Sequence, residues 1–294
     1  MARTVSLVLG SGGARGYAHI GVIEALEETG YEIRAISGSS MGALIGGLYA
    51  NGALAQYREW VLSLDFLGVM RLVDFTLSEA GIIKGDRVFE HLAYLLGDTV
   101  IEELPIAYTA IATDLTAGRE VWFRRGSLKQ AIRASIAIPM VFTPVIQDGR
   151  ILVDGGVLNP LPVAPAVLQS ADLVVAVNVN ATQGQGYLIS SAPDESDAPN
   201  EVRTGIARVL ASMGWTPHRR TGVPDMGIFE LMNRSFETMQ RALSNYKMAG
   251  NPPDLMIEIP VEACKFYDFH KAGEMIERGH AATIRALENL EKQR

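Results

Sequence analysis

The sequence predicts an α/β fold with a mainly parallel central sheet covered on both faces, and three observations carry that expectation. Short apolar runs alternate with helical patterns along the chain. Several of these runs, such as Val5-Ser6-Leu7-Val8-Leu9 and Leu173 to Val177, are apolar almost throughout. That is the pattern of strands buried on both faces. Glycine-rich turns follow the runs at 10–16, 38–42 and 154–156. In open α/β sheets ligands collect at this edge, beyond the carboxyl ends of the strands.

In chain order, Val5 to Leu9 reads as a strand and Gly10 to Gly16 as the turn after it. A helix from about 15 to 29 points Ile20, Ile23 and Leu26 inward and ends at Gly30. Small residues on it, Gly16, Ala18 and Gly21, suggest close packing on the sheet. A second strand around Ile33 to Ile36 leads to Gly38-Ser39-Ser40-Met41-Gly42 and a helix with no wet face, hence central. Residues 53–97 read as interrupted helix, with Asp86 an N-cap. Ile106 to Asp114 and Glu120 to Phe123 read as strands. Ser127 and Gln130 make a capping box for a helix over 128–134.

Pro139 and Pro144 mark an extended crossing, and Ile151-Leu152-Val153 is a strand delivering Asp154-Gly155-Gly156. Asn159-Pro160-Leu161-Pro162 opens another helix. Residues 181–200, rich in Gly, Gln, Ser, Asp and Pro, read as a mobile loop, either a lid or a surface insertion. Helices over 203–213 and 228–248, a strand over 255–259 and a closing helix over 272–290 complete the chain. No dividing linker stands out, so residues 1–294 are expected to form a single domain.

Composition bounds the function. Of 294 residues 48% are hydrophobic, enough for a sizeable core. A net charge of −7 argues against nucleic acid as the main partner. Cys264 stands alone, which excludes an intrachain disulfide and a cysteine-based metal site. No segment approaches the roughly 18 unbroken apolar residues of a spanning helix, so a cytoplasmic location is expected. Arg119, Arg124, Arg125, Lys129 and Arg133 form a local basic cluster. It reads as a solvated surface, or as a headgroup contact bringing the chain transiently to the inner membrane face. Oligomeric state is not legible.

Ser40 is the centre of a G-x-S-x-G strand–turn–helix. Such a turn strains its middle residue and lifts the hydroxyl clear of both elements. Gly38 and Gly42 leave room for it, and the helix N-terminus favours developing negative charge. An ordinary glycine-rich turn is the competing reading. The first glycine loop does not fit a dinucleotide fingerprint: Arg15 occupies the third glycine's place and no carboxylate ends the second strand. Nor does it carry the Lys-Ser/Thr of a P-loop. Successive glycines can instead aim N–H groups at an oxyanion. Arg15, a cation at a helix N-terminus, implies a specific placement there or a salt bridge.

None of the five histidines, His19, His91, His218, His270 and His280, lies in a glycine-rich turn at a strand end. Asp154 does, and it could deprotonate Ser40 directly if burial raises its pKa. A tight Asp-Gly turn is the plainer alternative. Asp114 also ends a strand, but without following glycines, and reads as structural. Met226, Met232 and Met239 recur along the late helices, as core packing or as a pliable acyl groove.

G-S-G-G-A-R-G (10–16), G-S-S-M-G (38–42) and D-G-G (154–156), in that order, resemble the three motifs of the patatin-like phospholipases. Residues 111–115, 133–139 and 158–162 are also similar, so the resemblance spans roughly residues 4–180. The region after 200, including 247–254 and 268–270, is similar to the stand-alone bacterial RssA-like subgroup. This resemblance implies a three-layer α/β/α sandwich. It also implies a Ser–Asp dyad at Ser40 and Asp154, with an oxyanion loop at Gly12 and Gly13 supported by Arg15. The implied activity is hydrolysis of lipid acyl esters, of the phospholipid or lysophospholipid class, with no metal or organic cofactor. A low-turnover regulator that binds lipid or a partner through the same site, and acyl transfer to an alcohol, remain alternatives.

Overall fold

The computed structural model describes residues 3–72, 86–139, 141–182 and 228–292. The chain divides into two compact units, Met1–Gln183 with Phe236–Arg294, and Gly184–Ser235. In the second, only the opening turns of one helix are described, and there Leu231 and Met232 are exposed. The candidate site lies in the first.

The strands are β1 (Arg3–Leu9), β2 (Tyr31–Ser39), β3 (Ala107–Asp114), β4 (Arg119–Phe123), β5 (Val145–Gln147), β6 (Arg150–Asp154), β7 (Leu173–Ala181) and β8 (Leu255–Pro260). The helices are α1 (Ala18–Glu28), α2 (Met41–Ala50), α3 (Leu54–Leu62), α4 (Phe66–Leu72), α5 (Asp86–Leu96), α6 (Leu128–Ser135), α7 (Val163–Val167), α8 (Ile228–Gly250) and α9 (Ala272–Lys292). The strands form one sheet in the order β5-β6-β3-β2-β1-β7-β8, with β4 joined to β3. The run from β3 to β8 is parallel. The pairs of β3 with β4, β3 with β6 and β5 with β6 are antiparallel.

Three layers result. Val5, Leu7 and Leu9 of β1, with Val175 and Val177 of β7 and Ile257 and Ile259 of β8, join one core cluster with α1, α2 and α9. On the opposite face Val8 and Ala176 pack with Leu161, Val163 and Ala166 around α7, and with Met248 of α8. Each fully buried aliphatic side chain contributes roughly 1.5–3 kcal/mol, so the doubly covered sheet is the main source of stability.

The registers explain how distant residues meet. β2 and β4 both pair with Ala110 and Ile111, so they occupy opposite edges of β3. β6 and β4 both pair with Ala112 to Asp114, so they too lie on opposite edges. β2 and β6 therefore lie end to end along the same edge. Parallel β2 stops at Ser39 opposite Ile111, and antiparallel β6 stops at Asp154 opposite Ala112. Ser40 and Asp154 are brought to one point by consecutive residues of β3.

Some expectations change. The first helix begins as a 3-10 turn, Gly13–Tyr17, before α1. Gly21 packs on α9 rather than on the sheet: a Cβ there would lie 1.9 Å from the Ile276 carbonyl oxygen, and one on Gly279 would lie 2.0 Å from that of Ala18. The residues after Asn159-Pro160 form only the short α7. β5, joined to β6 through Asp148-Gly149, is a strand where only an extended crossing was expected. Both turn residues have positive φ, the backbone that favours Asp-Gly in hairpins. The expected helix at 203–213 and nearly all of the 181–200 loop lie outside the described residues. Among the described residues no helix is long and apolar enough to cross a membrane. None of their His, Cys, Asp and Glu side chains form a group of three or more able to hold a metal ion.

Candidate active site

Ser40 follows β2 and caps α2 with φ 56° and ψ −124°, a conformation that costs a non-glycine residue about 1–3 kcal/mol. Surrounding structure holds it there. A Cβ on Gly38 would lie 2.5 Å from the Gly42 carbonyl oxygen, and one on Gly42 would lie 2.1 Å from that of Leu9. Only glycines permit this approach of α2 to β1. The Ser40 N–H donates to Ser135 Oγ at 3.0 Å, and that hydroxyl donates to the Ile111 carbonyl at 2.5 Å. Ser135, at the end of α6, is thus a support of the turn that no local pattern in the sequence singled out.

Ser40 Oγ donates to Asp154 Oδ2 at 2.5 Å, at the short end of the range for a hydroxyl on a carboxylate. The other carboxylate oxygen, Oδ1, accepts the Gly156 N–H at 2.7 Å, and the Asp154 N–H donates to the Ala137 carbonyl at 2.9 Å. Ser40 and Asp154 are each 1% exposed. Burial pushes the Asp154 carboxyl up from its ordinary 3.8 to about 7, with the Ser40 and Gly156 hydrogen bonds pulling the other way.

The glycine loop between β1 and α1 is tied down on every side. Gly10 N–H donates to Val177 O, Ser11 N–H to Pro160 O and Ala14 N–H to Phe266 O. The Gly10 carbonyl accepts from the Nε2 of buried His19 at 2.8 Å. Burial pushes the His19 imidazole down to about 4, the Gly10 hydrogen bond opposing it, so the ring is neutral at pH 7. The N–H groups of Gly12 and Gly13 meet no acceptor among the described residues. Gly13 has φ 57°, which a side chain would strain.

Arg15 is 1% exposed. Its guanidinium donates to Val179 O, Cys264 O, Asn180 Oδ1 and Glu237 Oε1, the last at 2.7 Å. It therefore braces the glycine loop against β7, the turn before α9 and α8.

Helix α8 crosses the same region with a polar face. Gln240 Nε2 lies 3.2 Å from both Ser11 Oγ and the Gly156 carbonyl. Lys247 pairs with Glu120, which also accepts from Trp122 Nε1 and Asn159 Nδ2. Burial pushes the Glu120 carboxyl up, but these hydrogen bonds outweigh it and hold it below the usual range. Partners this far apart in sequence leave no local pattern, so Glu237 in its ion pair and Gln240 in its hydrogen bonds were not legible.

Other candidates lie elsewhere. Asp114 Oδ1 accepts the Thr116 and Ala117 N–H groups, closing its own turn. His91 stacks on Trp60 and His280 meets Glu28. His270 packs edge-on to Phe66, and His218 lies outside the described residues. In the basic cluster Lys129 pairs with Asp98, Arg133 lies over the Phe89 ring, and Arg124 lies over Trp122. Met239 is exposed, as Met232 is, so neither packs in the core; Met226 lies outside the described residues.

Comparison with known proteins bears on what this constellation is. Residues 7–167 match the family model described as patatin-like phospholipase. The chain is 42% identical over 338 aligned positions to an uncharacterized NTE family protein of Mycobacterium tuberculosis (strain ATCC 25618 / H37Rv), covering 98% of this chain and 92% of that one. It is 36% identical over 183 positions to patatin-like phospholipase domain-containing protein 6 of Mus musculus, covering 60% of this chain and 13% of that one. Among solved structures it is similar to VipD from Legionella pneumophila, at 15% identity and a TM-score of 0.46 over 98% of this chain and 67% of that one. Both the extent of the family match and the near full-length relative lead to one statement: the chain belongs to the patatin-like phospholipase family.

Proposed function

We propose that the protein is a serine acyl-ester hydrolase acting on lipid esters of the phospholipid or lysophospholipid class. One observation carries the reading: the 2.5 Å hydrogen bond between Ser40 Oγ and a buried Asp154 carboxylate that titrates near 7. A base works best with a pKa close to the working pH, where it is ionised often enough and still holds a proton well.

Asp154 Oδ2 takes the Ser40 proton as Oγ bonds to the ester carbonyl carbon. The carbonyl π electrons move onto oxygen, and the oxyanion is held by Gly12 and Gly13 N–H, which meet no acceptor among the described residues and so fit this role. One such donor typically lowers the barrier by about 2.7–4 kcal/mol. Collapse breaks the ester C–O bond, and Asp154 passes its proton to the departing alkoxide. Water then attacks the acyl-enzyme, with Asp154 as base, releasing the fatty acid and restoring Ser40. Arg15 acts at a distance, by fixing the loop. Family membership supports a lipid substrate, and the similarity after residue 200 supports an RssA-like placement within the family. The expected location is cytoplasmic, with transient contact at a membrane surface.

The nearly complete burial of Ser40 favours a second reading, a lipid-binding regulator with little turnover. A panel of lysophospholipids and p-nitrophenyl esters of increasing chain length separates the two. Hydrolysis by the wild type, reduced about 10³-fold or more in Ser40→Ala, is the expected outcome. Binding without turnover, equal in both proteins, supports the regulator.

A further inference from the structure

The face that α8 turns to the protein is unusual for a helix packed on a core. Among its described side chains the two most buried are Gln240 and Ser244, both polar, and Glu237 and Lys247 complete the stripe at helical spacing. Glu237 reaches Arg15 in the glycine loop. Lys247 reaches Glu120, which holds Asn159 beyond the Asp154 turn. Gln240 lies between them and touches both halves of the site.

The Gln240 carboxamide orientation is fixed by its partners. The Gly156 carbonyl can only accept, so the atom 3.2 Å away must be the NH₂ group, which donates also to Ser11 Oγ. The buried Oε1 is then without a hydrogen bond among the described residues. A side chain kept only for packing would avoid that cost. Gly156 is also the residue whose N–H donates to Asp154 Oδ1. One carboxamide thus links the loop of Gly12 and Gly13 to the residue whose N–H steadies the base, through that residue's carbonyl.

We infer that Gln240 is a positioning residue: it holds the Asp154–Gly156 turn in register with the glycine loop, so that base, nucleophile and oxyanion donors keep one geometry. The inference rests on the hydrolase reading above and deepens it. Without the amide anchor on its carbonyl, Gly156 turns more freely about its backbone torsions, and its N–H, in the preceding peptide group, spends less time on Asp154 Oδ1. That hydrogen bond favours the ionised carboxylate, so losing it raises the pH at which the base becomes available. Other groups would not mask the change. Around the site Arg15 is paired with Glu237, Glu120 with Lys247, Arg150 of β6 with Asp148 and Lys129 of α6 with Asp98. Asp114 is bound to Thr116 and Ala117, Arg133 lies over the Phe89 ring, and buried His19 is neutral.

The test is the rate at which a fluorophosphonate labels Ser40 between pH 5 and 9, in the full chain and in Gln240→Leu, with thermal unfolding measured alongside. The variant is expected to react about tenfold slower at pH 7, with its midpoint moved up by about half a pH unit or more. On a soluble ester kcat is expected to fall while KM holds. A folded variant with wild-type rate and midpoint overturns the role, and so does a slower one whose midpoint is unmoved, since general loosening gives that result. If Gln240→Leu does not fold, Gln240→Met, close in volume and unable to donate, is judged by the same criteria. A wild type that is not labelled at Ser40 overturns the hydrolase reading itself, and this inference with it.

Discussion

Asp154 combines two demands that conflict in free energy. A buried carboxylate resists ionisation, and among the described residues the Ser40 hydroxyl and the Gly156 N–H compensate it. The folded protein therefore holds this proton up to about pH 7, whereas an unfolded chain releases it near 3.9. Stability from this group is full below the unfolded value and is lost as pH rises through about 7. Asp154→Asn cannot ionise and keeps the shape. It is expected to be inactive yet more stable than wild type at pH 8, by up to about 4 kcal/mol, with little difference near pH 4. Denaturant unfolding at the two pH values checks this, and a variant less stable than wild type at pH 8 contradicts it. The candidate dyad was legible because Ser40 centres a G-x-S-x-G turn after one apolar run, and Asp154 ends another and is followed by two glycines. The base's raised pKa was legible only as a condition, since nothing near residue 154 in sequence says what will cover it.

At the scale of elements, local signals were read well where one segment suffices. Ser127 accepts from the Gln130 N–H as the capping-box pattern requires, and α2 is buried almost all round as its composition demands. Signals that depend on a partner were read less well. The small residues of α1 implied a close neighbour, but it is α9 rather than the sheet, because the residues it meets lie more than 250 positions away. The β5–β6 hairpin carried its Asp-Gly signal openly, yet a three-residue strand beside prolines is too short to show periodicity. The helix crossing gives its own prediction. Gly21→Val forces a side chain onto the Ile276 carbonyl and is expected to destabilise by about 1–3 kcal/mol. Thermal unfolding measures this, and an unchanged Tm contradicts the tight crossing.

Across the whole molecule, the site is assembled from segments that the sheet brings together. β2 and β6 meet head to head on one edge of β3, the glycine loop follows β1, and α8 bridges the loop and the turn. The motifs within residues 4–180 announced the first three. The contribution of α8 was invisible because Glu237 and Gln240 have partners more than 80 residues away and no repeating pattern marks them. All of these segments serve the meeting of a strained hydroxyl with a proton-hungry carboxylate. The most direct measurement follows fluorophosphonate labelling of residue 40 against pH in wild type and Asp154→Asn. The account predicts labelling that rises with a midpoint near 7 in the first and is suppressed throughout in the second. Equal labelling of the two proteins, flat from pH 5 to 9, would contradict it.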